Sequence, residues 1–214
     1  MIFKINNAVK NESELERLVN NKIFITYANS YSLSVASNLS CNFKYVCDGW
    51  PVALYISIVQ KKIYKRLNFH SVKDFWISVL RTKRTALIGY SKNDIEILQQ
   101  RNHINKFVYV MDGYKKEKEL LAFIENIASD VDVIFLGLSQ PKQENVIKKL
   151  KHLENKVSIV CCGAFWLQIF VNTNEINNLS NSLYLTPLFR FYNKPLELIH
   201  RTFFSIKYVF RNLR

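Results

Sequence analysis

Short apolar runs alternate with longer amphipathic ones along most of this chain, and that alternation restricts the folds open to it more than any other feature. Residues 22–27, 43–47, 85–90, 107–111, 131–138 and 157–162 are rich in Val, Ile, Phe and Tyr and read as strands. Between them, residues 12–20, 30–39, 51–64, 71–80, 92–100, 115–127 and 141–153 place apolar side chains at a period near 3.6 and read as helices. Such alternation predicts a mostly parallel sheet with helices on both faces, a Rossmann-like α/β fold. Ligands of these sheets bind outside the carboxyl ends of the strands. Thr26, Asp48, Tyr90, Asp112, Gly113 and residues 139–143 all come at predicted strand ends, so one crevice can gather them.

With 214 residues and 49% hydrophobic content the chain can bury one large core. We expect a core domain over residues 1–171, a flexible loop over 172–184, where the chain turns polar and Asn-rich, and a helical appendage over 185–214. Cys41, Cys47, Cys161 and Cys162 form no Cys-x-x-Cys and no zinc-type spacing with histidine. They are expected to be reduced, mostly buried thiols of a cytoplasmic protein. The first residues lack the apolar core of a signal peptide, so a cytoplasmic location is expected. The longest apolar run, residues 157–171, contains Gly163 and Gln168 and falls short of the roughly 20 residues that a membrane-spanning helix needs. A buried strand followed by a short helix explains it better.

The formal net charge of +13 is concentrated. Residues 61–84 hold eight Lys and Arg against Asp74, and residues 185–214 hold six against Glu197. Two patches of this kind argue for an anionic partner: nucleic acid, anionic lipid or a diphosphate. The 14% aromatic content leaves room for nucleic-acid binding, although no recognised motif supports it. In residues 185–214 Phe203, Phe204, Ile206, Tyr208, Val209 and Phe210 are interleaved with Arg201, Lys207, Arg211 and Arg214. That pattern fits an interfacial helix on an anionic bilayer, or a helix covering the core, or one with a face for each.

Residues 131–147 join a strand apolar enough to be covered on both faces to a predicted helix. Pro141 suits the first helical position, and a helix starting there offers unpaired N–H groups and partial positive charge to a phosphate. Lys142 and Gln143 fall in its first turn. The plain alternative is a βα turn whose Lys and Gln are solvated.

The string Gly-Leu-Ser-Gln-Pro-Lys-Gln-Glu, residues 137–144, resembles the G-x-G-x-P-K-Q-E signature of the WecG/TagA/CpsF family of bacterial glycosyltransferases. Thr26 with Asn29, Asp48-Gly49, Arg66, Gly113-Tyr114, Gly163-Ala164-Phe165, Arg190, Pro195 and Arg201 follow in the family's order over about residues 20–214. The resemblance implies transfer of an N-acetylmannosamine-type sugar from a UDP donor to a polyprenyl-diphosphate-linked acceptor sugar, without metal or other cofactor, on the cytoplasmic membrane face. It implies roles in surface polysaccharide or teichoic acid synthesis. The alternatives are a non-catalytic relative and a basic nucleic-acid-binding protein. This chain departs from the family's pattern at Ser139 (usually Gly), at Trp166 (usually Asp, a contact to the nucleotide base), and at Thr186-Pro187 (usually Glu-Trp), and it lacks the Arg-Ala-Pro segment.

Glycosyl transfer needs a base for the acceptor hydroxyl and groups that stabilise charge on the departing diphosphate. Asp48 matches the family's proposed base; by itself Asp48-Gly49 reads as a common turn. Thr26 and Asn29 match residues that line a sugar, yet either could cap the helix that follows. Arg66 would suit a diphosphate as a fixed fork of donors, or stand solvated at the surface. Through the resemblance, Tyr114, Gly137, Ser139, Gln140, Lys142, Gln143, Gly163 and Phe165 are assigned to the donor, and Arg190 and Arg201 to an appendage that completes the site.

Overall fold

The computed structural model describes residues 8–9, 11–28, 44–48, 57–58, 61, 67, 69, 71–100, 104–139, 142–170 and 203. The expected loop over 172–184, nearly all of the appendage, the helix expected over 30–39 and most of that over 51–64 lie outside them. Seven strands appear among the described residues: β1 (Ala8–Val9), β2 (Ile25–Ala28), β3 (Lys44–Cys47), β4 (Thr85–Gly89), β5 (Tyr109–Met111), β6 (Val133–Gly137) and β7 (Ser158–Cys161). The helices are α1 (Glu12–Asn20), α2 (Lys73–Thr82), α3 (Lys92–Gln100), α4 (Glu117–Ile127), α5 (Lys142–Lys149) and α6 (Phe165–Phe170).

The strands form one sheet in the order β1-β3-β2-β7-β6-β4-β5, and every neighbouring pair is parallel. This is the expected α/β fold. From β4 the chain passes through α3 to β5 on one side, whereas from β6 it passes through α5 to β7 on the other. The strand order therefore reverses between β4 and β6, and in sheets of this kind ligands bind at such a reversal, outside the carboxyl ends of the strands.

Alternation along each strand divides the apolar side chains between two layers. Ala86, Ile88, Ile134, Leu136, Ile159 and Cys161 pack beneath α4 and α5. Leu87, Val133, Phe135, Val160, Tyr27 and Cys162 pack on the other face against α1, α2, α3 and α6. Each fully buried large side chain, such as Trp76, Phe135 or Leu87, stabilises the fold by about 1.5–3 kcal/mol relative to exposure.

Local signals explain where the helices begin. The Asn11 carboxamide oxygen accepts from the Glu14 N–H at 2.9 Å and caps α1, which then buries Leu15, Leu18 and Val19 on one stripe. Ser91 and Asp94 cap each other's backbone at the start of α3, both at 3.1 Å. At the amino edge of the sheet, side chains tie the strands together. The Asp132 carboxylate accepts from the Arg84 N–H at 3.0 Å, and the Ser158 hydroxyl donates to the Ile23 carbonyl at 2.9 Å.

Candidate functional site

The carboxyl edge of the sheet is built differently, from glycine. Four of the chain's five glycines end or follow adjacent strands there: Gly113 after β5, Gly89 in β4, Gly137 in β6 and Gly163 after β7. Gly89 and Gly137 are paired in register, and a Cβ on Gly89 would stand 2.5 Å from the Gly137 backbone. One on Gly113 would stand 2.7 Å from the Gly89 Cα. Only glycine lets three chain segments approach this closely. Gly163, at φ +52, has no atom of the described residues within 4 Å of where its Cβ would be. The reversal of strand order is thus floored by bare backbone.

Two groups of polar side chains flank this floor, one on each face of the sheet. Beneath α5, Thr26 pairs in register with Cys161, and Gln143 and Glu144 come down from the first turn of the helix. All four are buried. The Cys161 thiol is pushed up by burial and further by the Glu144 carboxylate, and a hydrogen bond with Thr26 acts against this. The Thr26 hydroxyl meets that thiol, a weak partner, and no oxygen or nitrogen among the described residues. The Gln143 amide nitrogen donates to Glu144 Oε1 at 2.9 Å, while Gln143 Oε1 has no hydrogen-bond partner among the described residues. An acceptor that is both buried and unpaired costs about 1–3 kcal/mol.

On the opposite face, Asp48 follows β3, half-buried, close enough to Tyr27 that its charge disfavours ionising the phenol. Burial is the larger cause holding Tyr27 neutral. The Tyr27 hydroxyl accepts from the Trp76 indole N–H at 2.9 Å, and its ring stacks on Phe69 with centroids 3.7 Å apart. Burial also pushes the Cys162 thiol up to about 12, despite a hydrogen bond with Tyr90 that lowers it.

The remaining expected residues divide by position. Tyr114 is 80% exposed beyond β5, where its N–H donates to Asp112 Oδ1 at 2.7 Å, and Ser139 is exposed beyond β6. The Lys142 ammonium donates to the Gly113 carbonyl at 2.7 Å, so it binds the neighbouring loop rather than standing free. Phe165 is buried, its ring 4.4 Å from Phe69 and 4.8 Å from Trp166. Asn29, Arg66, Gln140, Arg190 and Arg201 lie outside the described residues. The structure therefore brings Thr26, Asp48, Tyr114, Gly137, Ser139, Lys142, Gln143, Gly163 and Phe165 to one edge of one sheet, on β2, β3, β5, β6 and β7 and the segments that follow them. Trp166, where the resemblance places an Asp, is a core residue: fully buried, edge-on to Phe135 and stacked on Phe170.

Sequence reasoning passed over Gly89 and gave Tyr90 no role beyond its place at a strand end. A glycine closing an apolar run, as Gly137 does, was the signal available for Gly89. Among the described residues no cluster of three or more His, Cys, Asp or Glu could hold a metal ion, and no helix is long and apolar enough to cross a membrane.

Comparison with known proteins adds two findings. A family model described as the glycosyl transferase WecG/TagA/CpsF family matches residues 5–214. A curated relative from Shigella boydii, a UDP-Gal:alpha-D-GlcNAc-diphosphoundecaprenol beta-1,4-galactosyltransferase, is 28% identical over 181 residues, covering 77% of this chain and 76% of its own length.

Proposed function

This chain belongs to the WecG/TagA/CpsF family of glycosyltransferases, and from that membership we propose that it moves a hexosyl unit from a UDP-sugar to a sugar carried on a polyprenyl diphosphate. The observation that supports this most is the placement of the family string. It turns from β6 into α5 at the reversal of strand order, with the buried Gln143 Oε1 unpaired among the described residues. A ribose or sugar hydroxyl supplies the donor that this oxygen lacks. The start of α5 favours the negative charge of the diphosphate.

In the proposed reaction the acceptor hydroxyl oxygen attacks the anomeric carbon of the donor as the bond from that carbon to UDP breaks. The bonding pair leaves on the β-phosphate oxygen, the hydroxyl proton passes to Asp48, and the configuration inverts in a single displacement. Thr26 and Asn29 would orient the sugars, and the guanidinium groups of Arg66, Arg190 and Arg201 would counter the charge growing on UDP. No metal is assigned a step. The two basic segments of the sequence would hold the enzyme to the inner face of the plasma membrane, where a polyprenyl acceptor resides.

The family resemblance points to N-acetylmannosamine as the sugar moved, whereas the name of the Shigella relative specifies galactose. Both donors therefore belong in the test. Purified protein is incubated with a panel of UDP-sugars and a short-chain polyprenyl-diphosphate-N-acetylglucosamine, beside Asp48→Asn, and products are read by mass spectrometry. A disaccharide-lipid from one donor, absent with the variant, is the expected result. Absence of product from every donor, together with absence of UDP binding, would refute the proposal.

A further inference from the structure

The residue that holds the glycine floor in shape is not a glycine. Tyr90 follows β4 with φ at +64, in the left-handed region, where a bulky aromatic is a genuine outlier. Such a conformation persists only when its surroundings over-determine it, and here they do. The Tyr90 carbonyl accepts from the Gly113 N–H at 3.1 Å, and its own N–H reaches the Gly137 carbonyl at 3.4 Å. Its ring edge lies against Gly137, where a Cβ would come within 2.8 Å. Its buried hydroxyl accepts from the Trp166 N–H at 3.0 Å and is hydrogen-bonded with the Cys162 thiol. Immediately afterwards the Ser91–Asp94 cap fixes the start of α3.

One side chain and its backbone thus bind three segments: the ones following β5, ending β6, and joining β7 to α6. Those segments carry Gly113-Tyr114, Gly137–Ser139 and Gly163–Phe165. An aromatic serving the core alone would have no need of the left-handed backbone, nor of a hydroxyl aimed at the first turn of α6.

We propose that Tyr90 is a positioning residue for donor binding, which sets the three segments at the spacing a UDP-sugar requires. It acts through their backbones, not by touching the reacting atoms. The inference rests on the donor-site reading above and deepens it.

Tyr90→Phe removes the acceptor of the Trp166 N–H while keeping the ring. Full-length protein is compared in UDP titration calorimetry, in KM for donor and acceptor, in kcat, and in melting temperature. Ser158→Ala serves as control, because it removes the hydrogen bond of a buried side chain at the opposite edge of the sheet. Tyr90→Phe is expected to raise the UDP Kd and the donor KM about tenfold, with acceptor KM unchanged. Ser158→Ala is expected to lower the melting temperature with wild-type donor KM. A Tyr90→Phe enzyme that melts earlier but binds UDP like wild type would overturn the inference alone. A wild-type protein that does not bind UDP would overturn the donor reading and the inference with it. A second variant, 3-fluorotyrosine at position 90, keeps shape and hydroxyl but weakens the oxygen as an acceptor. It is expected to give a smaller rise in donor KM, and no rise would overturn the inference even if Tyr90→Phe did not fold.

Discussion

The Lys142 ammonium donates to the Gly113 carbonyl at 2.7 Å, which fastens the start of α5 to the segment after β5. The same ammonium lies 3.4 Å from the Lys115 carbonyl, so the cation of the family string is spent on backbone oxygens of the edge it borders. Lys142→Met keeps the apolar stem and loses these bonds. Charge-assisted hydrogen bonds contribute about 1.5–3 kcal/mol, so the donor KM should rise roughly tenfold or more while kcat changes little. Steady-state kinetics over a donor titration checks this, and an unchanged KM would remove the loop-fastening role.

Asp48→Asn keeps the shape of the side chain and removes its basicity. If Asp48 takes the acceptor proton, kcat should fall about 10²- to 10⁴-fold with UDP affinity preserved. Turnover within a few-fold of wild type would exclude Asp48 as the base.

Gly89→Ala and Gly163→Ala should behave very differently, although both sit at positive φ. An alanine Cβ at 89 would meet the Gly137 backbone at 2.5 Å, with no flexible side chain to give way, so the variant should fail to accumulate as folded protein. At 163 no described residue stands in the way, and the left-handed backbone alone should cost about 1–2 kcal/mol. Soluble yield of both variants, and chemical denaturation of whatever folds, makes the comparison; a stable Gly89→Ala protein would contradict the close approach of β4 and β6.

Burial pushes up the phenols of Tyr27 and Tyr90 and the thiols of Cys161 and Cys162, the last from an ordinary 9.0 to about 12. The folded protein keeps these protons where the unfolded chain releases them. Their contribution is therefore complete below the unfolded thiol range and is lost as pH rises through 9.0 towards 12 for Cys162. Each such group should steepen the alkaline loss by up to about 1.4 kcal/mol per pH unit. Urea midpoints at several pH values from neutral into the alkaline range test this, and Cys162→Ala should have the shallower slope.

How much of this was legible in the sequence can be judged element by element. The helices at residues 12–20 and 92–100 have the expected bounds, because Asn11 and Ser91 cap them and the apolar stripe has the helical period. The six expected strands all form, each shorter than its apolar run, since residues such as Phe24, Phe107, Val131 and Val157 are buried just outside the ladder. The helix expected over 141–153 is shorter, ending at Lys149 and followed by a tight 3-10 turn over Lys151–Leu153. Strand β1 was missed: two residues at a sheet edge are too few to show alternation. At the site, the strand-end residues were readable because parallel sheets present them on one edge. The Lys142 contact to Gly113 was not, nor were the left-handed Tyr90 and the approach of Gly89 to Gly137, because each depends on a partner distant in sequence.

Cys161 and Cys162 are free thiols next to each other in the chain, yet the first lies in the layer under α4 and α5 and the second in the layer under α1, α2, α3 and α6. The sheet stands between covalent neighbours like a partition between two rooms. Alkylation of one thiol clocks the opening of one room and alkylation of the other clocks the second, so a peptide map of the labelled protein would time the two layers independently from adjacent positions on a single strand end.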